Sequence, residues 1–418
     1  MSRRSRLIAA LVLMPVAVGL LHYVQVWAAT PPALARTSDF AGTYVAATLW
    51  HTGHGADLYN EAVERQVMAR TGAPVDHLYI PFVNPPAAAV VAAPLAFLDA
   101  ATAYRVWSLM QLALLVTAVW VASRAAPWPA RIDPMVRIAV AGAAVAGFGT
   151  GLLFVEGQWD GISVLGLALA YASWRGGHAA QAGFAVGLTS ALAKPHLAIG
   201  IAAFMLGRRD WRALAGTLAG GLVVVFLSLL AVGFSGAGAF VAALAKPSNS
   251  PLAEMQGASG LFGSLLGAGG ATYLLALLAG LGAALVAGWL GSTTRGRSDL
   301  FEPALAGAVA LSVFGAPHLL GHDLTLLAPA LVFGLAWQAG HAAHGWPDRA
   351  AIAVLFAWLL LSLATIADLG NRAVGPPGRM TPWVLVVLAV MCVLSVAAQL
   401  RRDPAAGRAP VLSAAHPS

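Results

Sequence analysis

Apolar residues run through this chain in long blocks, each broken by a short cluster of arginine, proline, glycine or acid. The first block, residues 7–29, is long enough as a helix to cross roughly 30 Å of hydrocarbon, and Arg3, Arg4 and Arg6 precede it. Similar blocks at 101–123, 138–155, 161–174, 179–193, 195–206, 213–232, 271–290, 300–314, 324–337, 350–366 and 383–400 bring the predicted spans to twelve. Several are short for a perpendicular crossing, so a thinned bilayer or a protein cavity must accommodate them. The block 87–98 follows the double proline Pro85-Pro86 and reads as an interfacial or re-entrant helix. Leaving it out of the count collects most of the arginines on one side, which by the positive-inside rule is the cytoplasm, together with both termini.

This topology makes 30–100 a large first extracytoplasmic loop carrying interfacial helices and 233–270 a second outer loop. Residues 1–400 form one membrane domain, and 401–418, rich in proline and alanine, are expected to be a disordered cytoplasmic tail. A signal peptide ending near the A-L-A at 33–35 is the rival reading of the first block. Its apolar core exceeds the usual signal length of about 7–15 residues, so an uncleaved first helix is expected.

Composition fixes the class. With 59% hydrophobic and 10% charged residues and a mean hydropathy of +0.77 over 418 residues, the chain cannot cover a soluble surface. An all-α, polytopic membrane protein is predicted. The net charge of +7 is spread between the apolar blocks and marks orientation instead of nucleic-acid binding. The lone cysteine, Cys392, lies in an apolar block and rules out an internal disulfide or a cysteine zinc site.

The polar punctuation carries the candidate chemistry. Asp39, the Asn84-Pro85-Pro86 turn, Glu156 to Asp160, Lys194-Pro195-His196 and Pro317 to Asp323 all fall on the predicted outer side. Ionisable groups at membrane depth usually mark a substrate path. Asp39, just past the first span, is the candidate general base, with helix capping by Ser38 or Asp39 as the alternative. Gln158 and Asp160 also suit caps for a helix beginning near Gly161, and Lys194 suits snorkelling to the interface. His318 and His322 would share a face on a helix and, with Asp323, would suit a metal. His51 and His54 read as surface residues. The sequence offers no dense carboxylate cluster, so no obligatory metal or other cofactor is expected.

Several motifs carry a resemblance. They are D-F-A-G-T-Y-V-A-A at 39–47 with G-A-D-L-Y at 55–59, Y-I-P-F-V-N-P-P at 79–86, G-Q-W-D at 157–160, A-K-P-H at 193–196 followed by G-R-R-D-W-R at 207–212, and P-H-L-L-G-H-D at 317–323. In order and in placement against the spans they resemble the GT-C glycosyltransferases. Within these they resemble glycosyltransferase family 87, best known for polyprenyl-phosphate-mannose-dependent mannosyltransferases. Many relatives place asparagine after the G-Q pair, where this chain has Trp159-Asp160.

The resemblance implies an inverting transfer of a sugar, mannose by default, from a polyprenyl-phosphate donor to a glycolipid or glycan acceptor at the outer face of the plasma membrane. It implies Asp39 as base, His322 and Lys194 foremost at the donor phosphate, His196 and His318 beside them, and Gln158 and Asp160 toward the sugar. A phosphate leaving group needs no general acid, so one carboxylate plus cations suffices. The rival is a secondary transporter or lipid flippase, which would put ionisable groups near the bilayer midplane on paired halves that this chain lacks.

Overall fold

The computed structural model describes residues 3–32, 36, 38–71, 79–245, 252–341 and 376–402, and every regular element within them is helical. The expected span 350–366, the A-L-A at 33–35 and the tail from 403 lie outside the described residues. In chain order the first helices are α1 (Arg3–Ala29), α2 (Phe40–His51), α3 (Glu61–Arg70), α4 (Pro86–Ala92), α5 (Ala100–Ala125), α6 (Pro134–Val145), α7 (Phe148–Glu156) and α8 (Asp160–Arg175). They are followed by α9 (Ala179–Leu192), α10 (Ile199–Arg208), α11 (Trp211–Leu244), α12 (Ala258–Leu266), α13 (Gly270–Thr293), α14 (Phe301–Gly315), α15 (Leu327–His341) and α16 (Pro376–Arg402).

Local chemistry starts several of them. Asp99 accepts hydrogen bonds from the Ala101 and Thr102 amides at the head of α5, Asp133 accepts one from Met135 before α6, and Asp210 one from Ala213 before α11. Each satisfies an orphan donor of a first turn.

Seven helices among the described residues are long and apolar enough to cross a membrane, and an eighth span results if α6 and α7 are counted together. The expected span 138–155 is this pair, bent by 53° at Ala146-Gly147. The expected spans 161–174, 179–193 and 195–206 are helical, but α8, α9 and α10 hold only 16, 14 and 10 residues. Among the described residues, the apolar blocks thus correspond to fewer full-length spans than the sequence pattern predicts, because α8, α9 and α10 are short helices packed within the bundle. The block 87–98 is α4 followed by a 3-10 turn, Ala93–Phe97, too short to cross. The second outer loop starts later than expected: α11 continues past Gly233, whose φ of 67° and ψ of −175° bend it, and ends at Leu244. The apolar stretch after the glycine resumes the helix. α12 occupies part of what remained of that loop.

Close packing between α9 and α11 rests on glycine. A Cβ at Gly183 would come within 1.8 Å of the Ala213 carbonyl oxygen, and one at Gly187 within 2.0 Å of that of Thr217. Gly216 and Gly220 on α11 press in the same way against the Ala180 and Phe184 carbonyl oxygens, at 2.1 and 2.5 Å. Two small-xxx-small stripes therefore let these backbones meet, the usual device where lipid gives no hydrophobic drive for helices to associate.

Gly187→Leu must push the two helices apart, and a cost of about 1–3 kcal/mol is expected. Gly221→Ala on the same helix meets nothing within 4 Å and should leave stability unchanged or raise it by up to about 1 kcal/mol. Thermal unfolding of the detergent-solubilised protein reads both signs.

Candidate active site

Three consecutive residues between α7 and α8 organise the polar end of the bundle. Gly157 ends α7 in the left-handed region at φ 66°, and a Cβ there would lie 2.9 Å from Cβ of Phe40. Only glycine lets the turn approach α2 so closely. Gln158 then donates through Nε2 to Oδ2 of Asp39. Trp159 donates from Nε1 to Oγ1 of Thr43 at 2.9 Å, and its ring packs edge-on against Trp107 at 4.6 Å. Asp160 turns the other way, into a buried cluster with Lys194, His322 and Asp323.

Asp39 sits at the N-cap position of α2, yet its side chain makes no capping bond. Capping is thus not its role here, and its carboxylate is held by Gln158. Gln158 and Asp160 do not cap α8 either: Trp159 occupies the N-cap position, again with no side-chain cap bond. Both side chains are committed to partners far away in the sequence.

Lys194 lies between α9 and the 3-10 turn Pro195–Ala198. Its Nζ is 2.5 Å from Oδ1 of Asp323, 3.0 Å from Nδ1 of His322 and 3.2 Å from both carboxylate oxygens of Asp160. Snorkelling to the interface is therefore not what this lysine does. Nδ1 of His322 is also 3.0 Å from Oδ2 of Asp160 and 3.4 Å from Oδ1 of Asp323. The remaining oxygen of Asp323 accepts the Leu320 amide at 2.7 Å. Asp160, His322 and Asp323 are 1%, 4% and 0% exposed, so these charges persist only because they face each other. Two carboxylates balance one ammonium and one imidazole when the imidazole carries its proton. Nε2 of His322 keeps no hydrogen-bond partner among the described residues.

The turn holding His322 and Asp323 is a 3-10 helix, Gly321–Leu326, and α7 presses on it: a Cβ at Gly149 would meet the Gly321 carbonyl oxygen and the Thr325 amide, each at 2.8 Å. His318 lies ahead of this turn in non-helical chain, so it and His322 do not share a helical face as the spacing allowed. Its ring instead stands edge-on to His196, 6.4 Å between centroids. Burial pushes the His318 imidazole down to about 4, so it is neutral near pH 7. Asn84, from the Y-I-P-F-V-N-P-P segment, donates to the Ala193 carbonyl oxygen at 3.1 Å and accepts from Tyr59 through its own carbonyl at 2.7 Å, tying the first loop to the residue before Lys194. His51 and His54 are exposed, as read from sequence.

Ligand atoms of Asp160, His322 and Asp323 lie within 4.8 Å of one another, a spacing that would suit a metal ion. The ammonium of Lys194 lies within 3.2 Å of all three and supplies the positive charge there. A divalent ion at this point would be repelled by it, so the donor set does not fit a metal while Lys194 is in place. The sequence missed this carboxylate pair because 160 and 323 are so far apart. The one available signal was that both acids sit beside motifs assigned to the same face.

At the opposite end of α8, about 24 Å away for 16 residues, Arg175 pairs with Glu302 at 3.2 Å. Arg208 lies near Asp210 and Arg297 binds Asp299 at that same end. The bundle thus has an acid–lysine–histidine end and an arginine-rich end.

No curated protein and no solved structure gave a match to the chain. The family model Glycosyltransferase family 87 matches residues 82–320, a stretch holding Gln158, Asp160, Lys194, His196 and His318 and stopping just short of His322, with Asp39 upstream of it. With more than half of its length so matched, and with that stretch folded into an all-helical multi-pass bundle, this membrane glycosyltransferase chain belongs to glycosyltransferase family 87.

Proposed function

We infer that the protein transfers a sugar, mannose being the family default, from a polyprenyl-phosphate donor to an acceptor hydroxyl, with inversion at the anomeric carbon. The observation that carries this reading is the turn Gln158–Asp160. It holds a lone carboxylate, Asp39, on one side and a lysine–histidine cluster on the other. Asp39 takes the proton of the acceptor hydroxyl as its oxygen bonds to the anomeric carbon. The bond from that carbon to the phosphate oxygen breaks on the opposite face, and its electron pair leaves with the phosphate, whose charge grows by one.

Preorganised cations lower the cost of that growing charge without reorganising. Lys194, 15% exposed at its side chain, fits this task at the phosphate, and His322, 4% exposed with Nδ1 3.0 Å from the Lys194 ammonium, supports it from the buried side. Asp160 and Asp323 are too buried to meet a sugar and serve to hold these two groups. Gln158 orients the base. His318 and His196 act as neutral groups beside the phosphate. The arginine-rich end of the bundle supports a cytoplasmic assignment for that end and, with it, the proposal that the Asp39 end meets a glycolipid or glycan acceptor at the outer face of the plasma membrane.

Asp39→Asn keeps size and hydrogen bonding but cannot take a proton. A loss of about 10²–10⁴-fold in transfer is expected, with donor binding retained. The assay follows label from polyprenyl-phosphate mannose, or another hexose if mannose is not used, into a lipid extract of the host membrane. Transfer at the wild-type rate would remove Asp39 from the mechanism.

Lys194→Gln should lower turnover by about 10²–10³-fold by withdrawing positive charge from the leaving phosphate. The same change leaves Asp160 and Asp323 short of a cation, so the unfolding temperature should fall as well. A variant that loses stability but keeps turnover would assign Lys194 to structure alone.

A further inference from the structure

Thr43 is one helical turn beyond Asp39 on α2, so both side chains lie on the face turned to the Gly157–Asp160 segment. Three successive residues of that segment touch three positions of the first turn. Gly157 meets Phe40, Gln158 holds Asp39, and Trp159 binds Thr43. Trp159 and Thr43 are 3% and 4% exposed, and the indole is fixed from behind by Trp107, whose own Nε1 donates to the Gly157 carbonyl oxygen at 2.8 Å. The next residue, Asp160, anchors the cations.

We propose that Trp159 is a positioning residue for the reaction: by hydrogen-bonding Thr43 it fixes the roll of α2, and thereby sets the Asp39 carboxylate against the Lys194–His322 cluster. The inference rests on the reading of Asp39 as base. Without the indole bond, the N-terminal turn of α2 keeps its apolar packing and the Tyr44–Leu98 hydrogen bond further along, but loses the polar contact that sets its roll beside Asp39, and a small local shift becomes possible. Asp39 lies at the end of that helix, and the hydrogen bond from Gln158, made by a flexible side chain, would follow such a shift instead of resisting it. A base displaced in this way still sits in the same pocket but meets the acceptor proton off line, and a displacement of about 1 Å is enough to cost as much as 10²-fold in rate. Donor binding, made at the cations, would not change.

A double-mutant cycle in the full-length protein tests this. Thr43→Val removes the acceptor at nearly constant volume, Trp159→Phe removes the donor while keeping an aromatic ring on Trp107, and Thr43→Ser keeps the oxygen. With polyprenyl-phosphate mannose and the lipid extract, each of the first two should lower kcat about tenfold with the donor KM unchanged within about twofold. The double variant should be no worse than the poorer single one, because both remove one bond. Thr43→Ser should stay within about twofold of wild type.

Losses that multiply in the double variant, or a lowered unfolding temperature with kcat intact, would overturn the positioning role and leave Trp159 as core. Should Trp159→Phe fail to fold, the Thr43→Val and Thr43→Ser pair decides by the same readout. Asp39→Asn run alongside separates the two levels. If it is inactive while Thr43→Val turns over at the full rate, the clamp alone fails. If it is fully active, there is no base to position and both readings fail.

Discussion

A lysine ammonium with little access to water needs anions around it, and in this protein Asp160 and Asp323 supply them. Removing one partner from such a buried set typically costs about 3–5 kcal/mol, because the other charge is left uncompensated. The requirement brings three remote pieces of chain to one point: the head of α8, the turn between α9 and α10, and the 3-10 turn ahead of α15. The rest of the polar end follows from that meeting. Gly149 lets α7 lie against the His322 turn, Asn84 ties the first loop to Ala193, and the Gly157 turn brings α2 within reach. A single charge balance thus decides where Lys194, His322 and the Gln158–Asp160 turn that holds Asp39 stand relative to one another.

The same cluster explains how the site separates its tasks. The carboxylates most deeply buried are neutralised by their neighbours and unavailable to a substrate, whereas Asp39 is partly exposed and bound only by an amide among the contacts described. A hydrogen bond from an amide orients the Asp39 carboxylate without the charge pairing that ties up Asp160 and Asp323. The buried acids and the partly exposed one therefore differ in partner type: lysine and histidine for Asp160 and Asp323, glutamine for Asp39.

Much of this was legible in the sequence, and the reasons are physical. Apolar blocks and arginine placement report the membrane class directly, since the bilayer imposes length and sign. The motifs at 39–47, 157–160, 193–196 and 317–323 were readable because polar residues at membrane depth are costly and stand out. What stayed hidden was long-range. Nothing local says that Asp160 pairs with Lys194 instead of capping α8, that Asp323 balances the same lysine, or that Asp39 at an N-cap position leaves the cap unmade. Helix boundaries also shifted where packing overrode pattern: Gly233 bends α11 without ending it, and Ala146-Gly147 break a block that reads as one span.

Asp39 and the Lys194–His322 cluster flank the Gln158–Asp160 turn, and the proposed chemistry depends on that adjacency. Cross-linking in the membrane tests it directly, using Asp39→Cys with Gln158→Cys in a Cys392→Ala background. Rapid disulfide formation is expected on mild oxidation, and none for Asp39→Cys paired with Arg175→Cys at the far end of α8. No cross-link between positions 39 and 158, with each cysteine reacting freely with a maleimide, would contradict it.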